Sequence, residues 1–377
     1  MNLVFVDSLA WDYDVATPLT QPLGGSQSAL CYLCAELARR GHRVTLLNHV
    51  RQAREVNGVV CRPIDSGFDD LARQPCDAWI VLNGPGRWGQ ILRSRVAPNS
   101  PVVLWTQHAH DQPAVADLRD PAVWQVWDAV ACISNWQRGK YHETFSIPLE
   151  RISVLRNAIS PPFENLFASA EDLAAAKAGP PVLVYTSTPF RGLDVLLSLF
   201  HEVRWEHRDA TLDVYSSMKV YQQDEANDPY RRLYECCRKL PGARHMGSVS
   251  QTDLAVALRR ASVLSYPNTF AETSCIAVME AMAAGLYVLT SDLGALGETT
   301  LGLGELVSVD GPFPQLGYFA GRYAQRLNDV LRRRAADPAG FAAARFEQVR
   351  RFNAECTWPC RARQWEEAIA QWRSGQR

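Results

Sequence analysis

Ser262-Val263-Leu264-Ser265-Tyr266-Pro267-Asn268-Thr269-Phe270-Ala271-Glu272-Thr273-Ser274-Cys275-Ile276-Ala277-Val278-Met279-Glu280-Ala281-Met282-Ala283-Ala284-Gly285-Leu286-Tyr287-Val288-Leu289-Thr290 contains a strand, a loop, a helix and a second strand. Ser262–Tyr266 and Leu286–Thr290 are short apolar runs of the kind that fill a buried parallel sheet. Pro267 and Asn268 open the loop between them. Thr273 or Ser274 can cap the helix, and Gly285 stops it. The order strand, helix, strand is the unit from which doubly wound α/β domains are built.

The same rhythm extends in both directions. Val182–Tyr185, Thr211–Val214 and Arg244–Met246 read as strands that precede Ser262–Tyr266. Nearer the N-terminus, Leu3–Val6, Val44–Leu47, Ala78–Leu82, Val102–Thr106 and Val130–Ile133 form an earlier series, with a helix over Ser26–Arg40 that Gly41 stops. Between the two series the rhythm breaks at Ser160-Pro161-Pro162, an alanine run and Gly179-Pro180-Pro181. A chain of 377 residues exceeds one typical core. The reading is therefore α/β, with two Rossmann-like doubly wound domains facing an interdomain cleft. The first covers residues 1–165 and the second 170–355. A C-terminal helix over about residues 356–377 packs back on the first. Open α/β sheets bind ligands at the carboxyl ends of their strands, so both sheets are expected to turn those ends toward the cleft.

Apolar residues make up 47% of the chain and charged residues 21%, with a formal net charge of −1. That balance gives no global attraction for nucleic acid. The N-terminus lacks the basic and long apolar regions of an export signal, and no apolar run reaches the roughly 18–20 residues of a membrane span. A cytoplasmic protein is expected, and its ten cysteines then read as reduced thiols. Cys31-x-x-Cys34 lies in an apolar helical pattern and reads as core. Asp12-Tyr13-Asp14 is a D-x-D placed directly after the first strand, where it reads as loop chemistry or an acceptor contact. No metal and no cofactor are expected.

Glu272 and Glu280 stand on either side of the helix start, eight residues apart, or ~12 Å of helical rise. That is the length scale of a nucleotide sugar. Each carboxylate can accept hydrogen bonds from hydroxyls, and the free N–H groups at the helix start suit a diphosphate. Thr273, Ser274 and Cys275 are the residues of that helix start.

With the turn Ala281-Met282-Ala283-Ala284-Gly285, this Glu-x7-Glu resembles the retaining family 4 glycosyltransferases of the GT-B fold. The loop Ser291-Asp292-Leu293-Gly294-Ala295-Leu296-Gly297-Glu298 is similar to that family's as well. The resemblance implies that Glu272 contacts the donor sugar and Glu280 the ribose. It also implies a basic pair after the first strand of the second domain. Arg191 stands before Gly192 where the family usually has lysine, and the upstream arginine is replaced by Thr186 to Thr188. Arg191 must then clamp the diphosphate, with Ser187 and Thr188 adding neutral hydrogen bonds. The turn Gly247-Ser248-Val249 corresponds to the family's contact with the nucleobase, through Gly247 and Val249.

In the first half, Gly24-Gly25 before the first helix is similar to the family's opening loop, which faces the donor phosphate and the acceptor. Gln27 is a candidate acceptor contact. His108, at the end of the Val102–Thr106 strand, matches the family's histidine near the donor sugar. His110 and Asp111 follow as further acceptor candidates. Ser134-Asn135 and Arg156-Asn157 close two more strands.

The expected function is retaining transfer of a sugar from a UDP- or GDP-linked donor to a hydroxyl of a glycan, a lipid-linked acceptor or a small molecule. Glu272, Arg191 and His108 are the catalytic candidates. The alternative is a weak or inactive homologue that binds nucleotide sugar or glycan. A nicotinamide enzyme is disfavoured because G-x-G-x-x-G is absent, and a periplasmic binding protein because no export signal is seen. Arg39, Arg40, Arg43, Arg93 and Arg95 are the candidate patch for peripheral membrane contact.

Overall fold

A computed structural model describes residues 1–84, 86–96, 100–309 and 316–375. The chain divides into two compact units. The first comprises Met1–Pro18, Gly25–Ala158 and Trp358–Arg377; the second comprises Leu19–Gly24 and Ile159–Thr357.

The first unit is built on an eight-stranded sheet. In chain order its strands are β1 (Asn2–Asp7), β2 (Arg43–Asn48), β3 (Arg54–Val56), β4 (Val59–Pro63), β5 (Ala78–Leu82), β6 (Val102–Trp105), β7 (Ala129–Cys132) and β8 (Ile152–Val154). They are arranged β3-β4-β2-β1-β5-β6-β7-β8. Only the β3–β4 hairpin is antiparallel among these pairings. The central strands are buried along their whole length, as at Ala78–Leu82 and Ala129–Cys132. That is why they read as unbroken apolar runs and not as alternating ones. β3, β4 and β8 escaped the sequence reading because β3 and β8 have only three residues and β3 is largely exposed, while β4 alternates buried and exposed positions and ends on Arg62 and Pro63.

The C-terminal helix Trp358–Ser374 belongs to this unit. Trp365 meets Trp105 at 5.1 Å and Phe5 at 6.3 Å between ring centres, and Trp358 lies 6.1 Å from Tyr32 on the Gly25–Arg39 helix. Arg40 donates to both oxygens of Glu366 at 2.7 Å. The last segment of chain is therefore part of the first core.

The second unit holds six parallel strands: β9 (Val182–Tyr185), β10 (Thr211–Val214), β11 (Ala243–His245), β12 (Val263–Tyr266), β13 (Tyr287–Ser291) and β14 (Glu305–Val307), in the order β11-β10-β9-β12-β13-β14. The sequence reading puts the change of domain between residues 165 and 170, whereas the structure puts it at Ala158–Ile159. Pro and Ala in the 160–180 stretch look like a linker, but Phe163, Phe167 and Leu173 in it, and Ile159 just before it, are buried. Ser169 caps a helix over Ala170–Ala176. The buried ammonium of Lys177 then donates to the carbonyls of Leu258, Arg259 and Ala261, closing the end of the Gln251–Leu258 helix.

Ser134 ends the β7 turn as the cap of the Asn135–Phe145 helix, accepting from the Gln137 N–H at 3.1 Å. Ser134→Ala is expected to cost about 1 kcal/mol and to lower the melting temperature of the first unit by about 2–4 °C, measured by calorimetry.

Candidate donor site

Strand order in the second unit reverses between β9 and β12, the position at which open α/β sheets take ligands. The two strands end on Tyr185 and Tyr266, whose rings meet edge to face at 5.7 Å. After β9, a short turn over Pro189–Arg191 presents Arg191. The Arg191 Nη1 donates to Glu272 Oε1 at 2.7 Å, and the Tyr266 hydroxyl donates to the same oxygen at 2.6 Å. The guanidinium lies 4.8 Å from the centre of the Phe270 ring and 5.5 Å from that of Phe190. The Glu272 side chain is 4% exposed and the Arg191 side chain 21%.

Backbone packing fixes both partners of this pair. Gly192 takes φ +102°, and a Cβ there would lie 2.0 Å from the Pro267 carbonyl oxygen. Gly294 takes φ +65°, bridges to Glu272, and would place a Cβ 2.3 Å from the Glu272 carbonyl oxygen. The Ala295 N–H donates to that oxygen at 2.7 Å. The two chain segments carrying Arg191 and Glu272 are thus each pressed against a neighbouring backbone with no room for a side chain.

Several buried polar atoms at the carboxyl ends of these strands have no hydrogen-bond partner among the described residues. They are the hydroxyls of Thr186 and Thr188 after β9, Ser216 after β10, and Thr290 and Ser291 at the end of β13, together with Nε of Arg191. Buried polar groups are normally paired, so a concentration of orphans at one end of a sheet marks a place built for a polar ligand. Thr188 also accepts from the Tyr185 hydroxyl through its carbonyl, at 2.7 Å, and the Ser187 hydroxyl lies 3.3 Å from that of Tyr266.

The helix after Glu272 runs Ile276–Ala283, with Cys275 at its cap position and no side-chain cap. This corrects the expected start at Thr273 or Ser274. Both precede the helix, Thr273 buried and Ser274 half-buried. The segment Pro267–Cys275 is instead held by Asn268, whose amide bonds both ways to the Phe270 backbone, and by the bridge at Gly294.

Glu280 is 2% exposed on this helix and accepts a hydrogen bond from the Ser160 hydroxyl. With its amide turned to donate, Gln251 reaches the two Glu280 oxygens at 3.1 and 3.3 Å. Burial pushes the Glu280 carboxyl up to about 8, against the opposing pull of the Ser160 hydrogen bonds. A raised carboxyl pKa stabilises the folded form below the unfolded value. Between pH 4.5 and about 8 the unfolded chain loses this proton while the folded unit keeps it. Stability is therefore expected to fall by on the order of 1.4 kcal/mol per pH unit across that window and to level off above it. Melting temperatures of the wild type and Glu280→Gln across pH 5–9 check this, since the variant should lose the slope.

Gly247 takes φ +71° with open space where a Cβ would stand, so conformation and not crowding demands glycine there. Val249 packs against the apolar core, and Ser250 caps the next helix.

The first unit has its own sheet reversal, between β1 and β5. At the end of β1, buried Asp7 accepts from the Tyr13 hydroxyl at 2.5 Å and from the Gln27 amide at 3.2 Å. Gln27 is 6% exposed. This corrects its expected role as an acceptor contact, because its amide serves the interior. Burial raises the Asp7 pKa against these hydrogen bonds. Gly25 begins the Gly25–Arg39 helix, and neither it nor Gly24 takes a left-handed backbone.

His108 follows β6 with Nδ1 2.6 Å from Gln112 Oε1. An amide oxygen can only accept, so Nδ1 carries the proton and Nε2 keeps its lone pair. Burial lowers the His108 pKa. His110 stacks edge to face on Trp136, with its buried Nδ1 unpartnered, and Asp111 is exposed. Asn157 donates from its side-chain amide to Gln107 and accepts from Arg361 through its carbonyl.

Asp12 and Asp14 pair with Arg51 and Arg54. Arg39, Arg40, Arg93 and Arg95 each pair with a carboxylate, on Glu36, Glu366, Asp128 and Asp69. The candidate membrane patch is therefore largely neutralised within the unit.

Sequence reasoning singled out Arg191, Glu272 and Glu280 but missed Tyr266, Ser160, Gln251 and the structural demand at Gly294. Tyr266 was legible as the last residue of a strand, but Ser160 and Gln251 reach Glu280 from 120 and 29 positions away along the chain.

Residues 180–310 match the family model described as glycosyl transferases group 1. Phosphatidyl-myo-inositol mannosyltransferase of Mycobacterium tuberculosis is 39% identical over 107 residues, which are 28% of this chain and 28% of that protein. Glycogen synthase of the same organism is 28% identical over 178 residues, 46% of this chain and 40% of that one. The aligned stretches thus span well under half the length of these relatives.

Among solved structures, sucrose-phosphate synthase from Thermosynechococcus elongatus superposes with a TM-score of 0.74 over 100% of both chains at 16% identity. A glycosyltransferase from Rickettsia africae gives 0.72 over 98% of both chains at 13% identity. Anabaena HepE in complex with UDP-glucose gives 0.69 at 13% identity, over 98% of this chain and 100% of that one. The fold is GT-B, and the second unit carries the glycosyl transferases group 1 match. No helix among the described residues is long and apolar enough to cross a membrane.

Proposed function

We propose that this chain is a retaining glycosyltransferase that moves a sugar from a UDP- or GDP-linked donor to a hydroxyl of a glycan, lipid-linked or small-molecule acceptor, without a metal. The observation that carries the reading is the Arg191–Glu272 pair at the β9/β12 reversal, set among buried hydroxyls that lack partners. The glycosyl transferases group 1 match over the same residues supports it, as do relatives whose names are those of sugar-transfer enzymes.

Cleavage of a nucleotide sugar places growing negative charge on the leaving diphosphate. Arg191 supplies the positive charge. The hydroxyls of Thr186, Thr188 and Ser216 and the uncapped N-terminus of the Ile276–Ala283 helix supply neutral donors. Glu272 receives hydroxyls of the donor sugar, and Glu280 those of the ribose. Gly247 and Val249 approach the base. In the first unit, His108, whose Nε2 keeps its lone pair, is assigned as a proton acceptor, and Gly24, Gly25, His110 and Asp111 are assigned to the donor phosphate and the acceptor. Cytoplasmic action fits this donor chemistry, and any peripheral membrane contact draws on surfaces other than the paired arginines.

Thermal-shift measurements with UDP-, GDP- and ADP-sugars, followed by assay of free nucleoside diphosphate with and without acceptor, test the reading. A bound nucleotide sugar that is turned over supports it. Binding without release in the presence of acceptors identifies the non-catalytic alternative, and no binding of any nucleotide sugar overturns both.

A further inference from the structure

We propose that a pocket of 290 Å³ in the first unit binds the ring of an uncharged polyol, a pyranose or a cyclitol. The role of that ring as acceptor rests on the transferase reading above; its binding does not. The pocket lies where the chain leaves β1 at Ser8 and β2 at His49, at the carboxyl side of the sheet. The Ile64–Ala72 and Gly86–Arg95 helices contribute the rest of its wall. Its volume is at the lower end of small-molecule sites, which begin near ~300 Å³ and suit a single ring better than an extended chain.

The lining selects the ligand class. Phe68 and Trp88 meet edge to face at 6.0 Å, and Phe68 is in turn braced by Trp79 at 5.5 Å. Phe68 is 6% exposed while Trp88 is half-buried, so the indole offers the pocket a rigid apolar surface. One face of a pyranose or cyclitol carries C–H groups that pack on such a surface. Around it, the side chains of Ser8, His49 and Asp65 make no hydrogen bond or ion pair among the described residues. A hydroxyl, an imidazole and a carboxylate accept and donate in the pattern that ring hydroxyls require.

Charge excludes the main rivals. Arg95 is the guanidinium among the described wall residues, and it is spent on Asp69 at 2.8 Å while lying over Phe68. Asp65 makes no ion pair among the described residues. A phosphate would meet the carboxylates of Asp65 and Asp69 with no unpaired guanidinium or ammonium among the described wall residues to offset them. A purely apolar guest would leave three polar groups facing it unpaired.

Saturation-transfer NMR on the full chain with methyl α-D-mannopyranoside, methyl α-D-glucopyranoside and myo-inositol tests the assignment. At least one ring is expected to receive saturation at its C–H protons. Asp65→Asn and Trp88→Leu are each expected to weaken its binding about tenfold, with nucleotide-sugar binding unchanged. Asp65 is exposed, so its variant keeps the test decisive should Trp88→Leu fail to fold. No saturation of any of the three rings overturns the proposal. So does binding untouched by both substitutions, or inorganic phosphate that binds and displaces the ring. If a ring binds and no nucleotide sugar does, the pocket stands and the transferase reading falls. If nucleotide sugars bind and no ring does, the reverse holds.

Discussion

Arg191→Ala is expected to lower turnover by about 100- to 1000-fold, the loss that follows removal of one preorganised donor to a charge that develops in the transition state. The same substitution strands Glu272, a carboxylate 4% exposed whose partners are Arg191 at 2.7 Å and Tyr266 at 2.6 Å. A buried charge without its counter-ion costs about 3 kcal/mol or more, so the second unit should also lose stability. A double substitution separates the two effects. Replacing Arg191 and Glu272 together with methionine removes both charges and keeps the volume. It is expected to restore much of the melting temperature, because a buried pair contributes little net stability, and to leave turnover at or below the level of Arg191→Ala. Recovery of turnover in the double variant would show that Arg191 serves packing and not the diphosphate. Calorimetry and nucleoside-diphosphate release on the same preparations provide both readings.

Gly294→Ala is expected to have the second large effect. The residue sits at φ +65°, where a side chain is already disfavoured, and the added Cβ would lie 2.3, 2.6 and 2.9 Å from backbone atoms of Glu272 and Ala271. Backbone cannot rotate aside as a flexible side chain can, so the Glu272 peptide must move. The Glu272–Gly294 bridge and the bond from Ala295 are then lost, and the carboxylate is drawn away from Arg191. The expected result is a destabilisation of about 3 kcal/mol or more with loss of nucleotide-sugar binding. Gly302→Ala is the control: its φ of +72° is similar, but nothing lies within 4 Å of the added Cβ. It should lose stability from backbone strain alone and keep binding. Equal loss of binding in both variants would remove the claim that Gly294 positions Glu272.

The two carboxylates that the sequence places as free ends of one grip are already bonded in the folded unit. Glu272 is held by Arg191 and Tyr266, and Glu280 by Ser160 and Gln251. On the proposed reading, donor binding at this site would exchange internal hydrogen bonds for ligand hydrogen bonds. Net affinity would then be the difference between the two sets.

The sequence alone determined the α/β class, the two strand series, and the position of Arg191 and Glu272 just beyond the ends of two strands. Those features are local. A buried parallel strand is written as a continuous apolar run, and Arg191 and Glu272 each lie a few residues beyond one. Tertiary structure decided that these two residues form one ion pair, that Gly192 and Gly294 hold it in place, and that Ser160 reaches Glu280. It also turned Gln27 inward to Asp7, started the helix at Ile276, and buried Ile159, Phe163, Phe167 and Leu173 within the second unit in place of a linker. Each of these depends on which strands become neighbours. Sheet order is set by contacts between residues far apart in the chain, and no window of sequence carries that information.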